Sequence, residues 1–234
     1  MSFSTKALKE FITEMVEQAI SETAKQPADA ENRGLALSVS VKSPFTYLVL
    51  YQPSSLEEVC YDVAKQPVHL TVDQKVRTAI ETHPNPVVGF IRMKKDDCGW
   101  IIQNSVAEKG YGPLMYDIAF SFAGKQGIVP DRESVSEAAR KIWKFYFRNR
   151  KNEFRFYPLA NNDPCAVWQD DDDSWFLDVR YSMRQADTGK AESMIQRSNN
   201  TINQINSSTQ HVLPTYEILR RLGSAFFDSM YFHH

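Results

Sequence analysis

The residues best placed to do chemistry lie in one short run, Ala107-Glu108-Lys109-Gly110-Tyr111-Gly112-Pro113. Ahead of it stands the apolar stretch Gly99 to Val106; behind it Leu114, Met115, Ile118, Ala119 and Phe122 recur at helical spacing. A strand, a glycine turn and a helix in that order make an anion site. The first turn of a helix carries N–H groups with no intrahelical partner, and the helix dipole adds partial positive charge there. Glycines allow a phosphate to approach the backbone closely. Gly110 and Gly112 stand at the junction with Lys109 beside them, and Pro113 suits position N1, where its missing N–H costs nothing. Two glycines do not make the dinucleotide fingerprint, and without Gly-Lys-Ser/Thr the run is not a P-loop. The plain alternative is a tight strand-to-helix turn.

Other chemical groups flank this run. Ser105 ends the strand that feeds it, and Tyr116 and Asp117 sit on the helix that follows. Asp131-Arg132-Glu133-Ser134-Val135-Ser136 is a dense polar cluster, in which Asp131 and Arg132 are the pair suited to act on a substrate. Ser134 with Glu137 has the spacing of a capping box and fits a structural role. Lys141, Lys144, Arg148, Arg150 and Lys151, with Arg155, form a basic stretch that suits nucleic acid or an acidic partner. A solvated helix face accounts for the same charges. The three cysteines, Cys60, Cys98 and Cys165, have neither disulfide-framework nor zinc spacing, which implies a reducing compartment. Cys165 reads as a nucleophile or as a plain loop or buried thiol, and Asp170 to Asp173 as a solvated turn.

The elements that must position these groups can be read from periodicity. Leu8 to Ile20 has helical spacing and should stop before Pro27. Leu35 to Lys42 and Phe45 to Tyr51 form a hairpin about Ser43-Pro44. Ser54 with Glu57 and Thr71 with Gln74 open two short helices. Val87 to Met93 pairs with Gly99 to Val106. Val135 to Phe147 is a long amphipathic helix. Further strands are expected at Phe154 to Leu159, Ala166 to Gln169 and Trp175 to Tyr181. Gln196 to Gln210, rich in Asn, Ser and Gln, reads as a flexible polar segment, and a last helix starts near Pro214.

With 234 residues, 42% of them hydrophobic, and a net charge of −2, one α+β domain spanning residues 1–234 is expected. Bulk charge gives no reason for wholesale nucleic-acid binding. No apolar run reaches the ~20 residues of a membrane span and the chain opens without an h-region, so the cytoplasm is the expected location.

The run from Val87 through Gly124 resembles the core of the GNAT superfamily of N-acetyltransferases. There, two antiparallel strands precede a Gln/Arg-x-x-Gly-x-Gly/Ala loop and a helix, and loop amides hold the pyrophosphate of acyl-coenzyme A. The resemblance implies a central, mostly antiparallel mixed sheet flanked by helices. It implies acetyl-coenzyme A or another acyl-coenzyme A held by Ala107, Lys109, Gly110, Tyr111, Gly112 and Pro113, although Ala107 replaces the family's Gln or Arg. The acceptor would be an amine that attacks the thioester directly. The leaving-group acid is often a Tyr on the following helix. Trp143 takes that place here, and Tyr146 is the nearest substitute. Ser105, Tyr116, Asp131, Arg132 and Tyr146 are thus the catalytic candidates.

Gly110 to Asp117, followed by Asp131 to Ser136 and Ala139 to Trp143, also resembles phage-encoded acetyltransferase-like proteins, most without an assigned activity. That implies a phage origin and the host cytoplasm. Two alternatives stay open on the same fold: a phage enzyme that modifies DNA bases, and a non-catalytic protein that binds a host factor.

Overall fold

The computed structural model describes residues 15, 18–131, 135–159, 175–184, 189–209 and 214–231. Arg132, Ser134, Cys165, Asp170 to Asp173, the strand expected at Ala166 to Gln169 and most of the first helix lie outside them.

The chain opens with a helical stretch, α1, at residues 18–23, followed by α2 (Pro27–Asn32). Next come the hairpin β1 (Ala36–Lys42) and β2 (Phe45–Tyr51) about Ser43-Pro44, then α3 (Pro53–Lys65) and α4 (Val72–Thr82). A second hairpin, β3 (Val87–Asp96) and β4 (Gly99–Ala107), leads into α5 (Tyr111–Ala123) and the two-residue β5 (Ile128–Val129). α6 (Glu137–Asn149), β6 (Phe154–Pro158), β7 (Val179–Met183), α7 (Gly189–Ser208) and α8 (Thr215–Tyr231) complete the fold. The strands form one mixed sheet in the order β1-β2-β3-β4-β5-β7-β6, in which only β4 and β5 run parallel.

Each face of the sheet carries a core. Alternation along β3 sends Ile91 and Met93 to the face of α5 and α6, and Phe90 to the face of α3, α4 and α8. Hydrophobic residues at i, i+3 and i+4 explain the helices. In α3, for example, Leu56, Val59, Cys60 and Val63 are all buried. Burial pushes the Cys60 thiol up to about 12, so it acts as an apolar core group. Cys98 is disulfide-bonded, with its partner outside the described residues. This is a bond that the cysteine spacing did not indicate.

Several sequence expectations change: a short helical turn, Trp175–Leu177, replaces the start of the strand expected at Trp175 to Tyr181, and α3 begins after Gln52 without the Ser54 cap. Gln196 to Gln210 is mostly helix, not a flexible segment: it forms the second half of the 20-residue α7. Met194, Ser198, Thr201, Ile202 and Ile205 fall on its buried side, and burial there outweighs the weak helix propensity of Asn and Ser. The Tyr51 hydroxyl meets Ser198 Oγ at 2.9 Å, and Arg197 donates to the Leu35 carbonyl at 2.7 Å, which ties α7 to the hairpin. In α6 the N-cap is Ser136, whose Oγ accepts from the Ala139 N–H at 3.2 Å.

α8 is anchored in two ways. At its start Glu217 binds Arg220 and Arg221; Arg220 lies over the Tyr47 ring and Arg221 reaches Asp73 at 2.8 Å. Further along, Gly223 lies against Phe90, so close that a Cβ there would overlap the ring.

Gly223→Ala should therefore destabilise the fold. Alanine gains about 1 kcal/mol of helix propensity, but overpacking against Phe90 costs about 1–3 kcal/mol. Urea unfolding should show a net loss, and a gain would mean that α8 can shift away from the sheet. Glu217 gives a pH dependence. Burial acts to raise its carboxyl, but hydrogen bonds from Arg220 and Arg221 and the charge of Lys42 hold it below its ordinary 4.5. A depressed carboxylate contributes stability above its unfolded value and loses it as pH falls through the folded one. Glu217→Gln should melt below the parent at pH 7, and the two melting points should converge as pH drops below 4.5.

Candidate functional site

The site begins where the sheet opens. β4 pairs with β5 only at Trp100↔Ile128 and Ile101↔Val129. Beyond Ile101, no described strand lies on that side of β4. Its other side stays paired with β3 as far as Ala107↔Gly89. Within that pairing Arg92 faces Asn104 and Met93 faces Ile102, so Gln103 is the extra residue of a β-bulge.

The direction of the main chain follows from one bond. The Glu108 N–H donates to the Val88 carbonyl at 2.8 Å, so Glu108 faces β3. Main-chain groups alternate along a strand, so Ser105 and Ala107 turn their N–H and C=O away from β3, toward the opening. Two cavities with shared lining residues follow this edge. One, of about 340 Å³, runs from Ser105 past Ala107, Met115 and Ile142 to Gly112, with Met230 of α8 on its rim. The other, of about 240 Å³, is lined by Ile102, Gln103, Asn104, Asp131, Trp143 and Phe227. Ser105, Tyr116 and Ala139 line both. Ser105 Oγ and Tyr116 Oη lie 3.1 Å apart, so the fold brings two of the sequence candidates into one hydrogen bond. Tyr116 is buried, edge-on to Trp143 at 5.4 Å.

The two glycines of the turn have different reasons to be glycine. Gly110 has φ +89°, and a Cβ on it would stand 2.5 Å from the Thr23 carbonyl oxygen. Its own carbonyl accepts from the Lys25 N–H at 2.9 Å. Backbone conformation and the close approach of residues 23–25 thus require Gly110. Neither applies to Gly112: an added Cβ would meet only Ile142 Cδ1, at 3.6 Å, in ordinary contact, and the position lines the larger cavity. α5 starts at Tyr111, two residues before Pro113, so the proline is the third helical residue and not the first. The Tyr111 N–H donates to the Glu108 carbonyl at 3.0 Å and Pro113 has no N–H. Among the described residues the Gly112 N–H has no backbone partner at the start of α5, and the same holds for Lys109, Gly110 and Leu114. Tyr111 is buried with Arg33 over its ring at 5.7 Å, Lys109 is exposed, and Ala107 lines the groove.

Tyr146 lies elsewhere. It is fully buried, and its hydroxyl donates toward Asp117 Oδ1 at 2.7 Å and the Pro113 carbonyl at 2.9 Å. Burial and the neighbouring Asp117 carboxylate push its pKa well up. Burial also raises Asp117, against the pull of Arg150 and Tyr146. Arg150 stays charged: burial opposes this, but hydrogen bonding to Glu153 and the fields of Tyr146 and Asp117 outweigh it. Burying the Asp117 carboxylate costs more than its pairing with Arg150 and Tyr146 returns, as is common for a buried ion pair. Arg150 lies over the Tyr146 ring at 4.9 Å, so the fold turns this member of the basic stretch inward. Lys141 pairs with Glu137 at 2.8 Å, while Arg148 and Lys151 are exposed. The Tyr146 network joins the first turn of α5 to α6, the two helices that wall the groove.

Asp131 reaches the smaller cavity, and Arg132 lies outside the described residues. Gln103, Trp143, Phe227 and Met230 were not among the sequence candidates. Helical spacing marks Trp143, Phe227 and Met230 as core, Gln103 reads as an ordinary strand residue, and nothing local reveals the opening beside β4. Among the described residues no group of three or more His, Cys, Asp or Glu is placed to hold a metal, and no helix is long and apolar enough to cross a membrane. No family model, curated protein or solved structure matches the chain.

Tyr146→Phe should lower stability by about 1–2 kcal/mol, because it removes the hydroxyl's bonds and leaves the Pro113 carbonyl without that donor. Urea unfolding measures the loss. An unchanged midpoint would show that the hydroxyl does not hold α5 to α6.

Proposed function

We propose that the protein is an acyl-coenzyme A-dependent N-acyltransferase. The observation that carries this reading is the open main-chain edge of β4 at Ser105 and Ala107, beside a groove that ends at the Gly112 N–H.

The chain's groups fit the cofactor by chemistry. Coenzyme A combines a pyrophosphate with a long arm that carries amides, and when bound it supplies an activated acyl thioester. Ser105 and Ala107 offer N–H and C=O groups to an extended, amide-bearing chain, as a sheet edge does to an added strand. The Gly112 N–H and Lys109 suit a phosphate at the start of α5. Met115, Ile142 and Met230 give the groove an apolar wall that excludes water.

Acyl transfer to an amine requires one proton to leave the nitrogen and one to reach the departing sulfur. Tyr116 Oη, hydrogen-bonded to Ser105 Oγ between residues that line both cavities, holds a proton at the right place for the second task. It takes the role that the sequence pattern assigned to Tyr146, whose hydroxyl is committed to Asp117 and Pro113.

Thermal unfolding with coenzyme A and acetyl-coenzyme A tests the reading. Ligand at about one hundred times its dissociation constant adds roughly 2.7 kcal/mol, which raises the midpoint by about 5–10 °C. Gly112→Trp, which fills the end of the groove, should still unfold cooperatively but show no shift. The absence of a shift in the parent at millimolar ligand overturns the proposal.

A further inference from the structure

The smaller cavity contains a feature that the acyl-donor groove does not explain. Gln103 lines it, and the Gln103 Oε1 atom is buried with no hydrogen-bond partner. Among the described residues three other buried side-chain atoms share that condition, on Gln66, Arg92 and Arg180, and none of those residues lines either cavity of the site. A buried acceptor without a donor costs free energy that an apolar side chain would not. Gln103 is also the extra residue of the β4 bulge, a device that re-aims a side chain next to a site. Two independent observations, an orphan acceptor and a break in register, thus fall on one residue.

The rest of the lining limits what can enter. Asp131 is the charged side chain among its described residues, and Ile102, Trp143 and Phe227 are apolar. The volume of about 240 Å³ holds roughly eight water-sized groups, at about 30 Å³ each. That is room for a short chain and not for a folded surface. We infer that Gln103 selects the acceptor of the reaction, a primary alkylamine on a short apolar stem that enters the smaller cavity as its ammonium form, donates an N–H to the Gln103 amide oxygen, and gives up its extra proton to solvent before the nitrogen attacks. Asp131 provides the favourable charge, and Trp143 offers its ring to the cation or to the stem. The inference rests on the acyltransferase reading for its chemistry, although the cavity can be tested without it.

A free amine and a lysine side chain share this chemistry, and calorimetry on the full chain separates them. 1,4-Diaminobutane represents the first, Nα-acetyl-lysine methylamide the second, and 1,4-butanediol is the uncharged control. At least one amine should bind and the diol should not; whichever amine binds more tightly identifies the source. Gln103→Met should weaken amine binding at least tenfold, while Gln103→Glu, which keeps an acceptor and adds charge, should bind as tightly as the parent or more so. Without ligand, Gln103→Met should melt above the parent, because the orphan acceptor is gone. A lower melting point, equal binding of diol and amine, or full amine binding by Gln103→Met overturns the inference. The thermal shift with coenzyme A is read on the same variants. If it is absent throughout while amine binding still depends on Gln103, the acyltransferase reading falls and the amine site stands.

Discussion

β4 lies beside β5 for two residue pairs, Trp100 with Ile128 and Ile101 with Val129, and a parallel ladder that short cannot hold two strands together along their length. The remaining main-chain groups on that side of β4 must find other partners or water, since a buried unpaired N–H or C=O is costly. The fold leaves them at an opening instead of closing the sheet over them. Everything proposed for this protein depends on that geometry. α5 crosses from β4 to β5 and so begins at the end of the opening. α6 forms the opposite wall, and α8 brings Phe227 and Met230 to the rim. Had β5 continued its pairing to Ala107, it would occupy the edge along which both cavities run.

An open edge is useful only if its walls hold their distance. The side chains that do this are buried and polar. Tyr146 reaches from α6 to the Pro113 carbonyl in the first turn of α5, and Asp117 and Arg150 complete the same contact. Arg150 rests on the rings of Tyr146 and Phe154, so its charge sits among aromatic faces and not in solvent. On the other face of the sheet, Gly223 lets α8 approach Phe90 closely, and Glu217 gathers Arg220 and Arg221 at its start. These contacts are expensive to bury and specific in geometry, which suits elements that must stand at a fixed spacing beside an unpaired strand.

Much of the fold was legible because it is local. Alternation and turn chemistry marked both hairpins, helical spacing marked α3, α4, α5, α6 and α8, and the sheet is mostly antiparallel as the pattern implied. α7 was hidden by composition. Asn and Ser dominate its second half, and only Ile202, Ile205 and the polar pair Ser198 and Thr201 face inward, too sparse a stripe to read without the hairpin it covers. The site was legible in part. Ser105 and Tyr116 were separate candidates, eleven residues apart, and their hydrogen bond appears only once α5 folds back over β4. Gln103 carried no signal, because a bulge is a property of the paired strands and not of either sequence alone.

The pair of glycines shows how a motif divides between structure and function. A pattern of two glycines at a strand-to-helix turn treats them as equivalent. Gly110 is fixed by its left-handed φ and by the Thr23 carbonyl, so it would be glycine in this fold with or without a ligand. Gly112 has ordinary backbone and space in front of it, so the fold alone does not demand it. A residue that the fold does not fix, at the start of a helix with N–H groups unpaired among the described residues and at the end of a groove, is where a bound group would constrain the sequence. The same logic separates the two tyrosines. Tyr146 is spent on holding α5 to α6, whereas the Tyr116 hydroxyl meets Ser105 Oγ between residues that line both cavities.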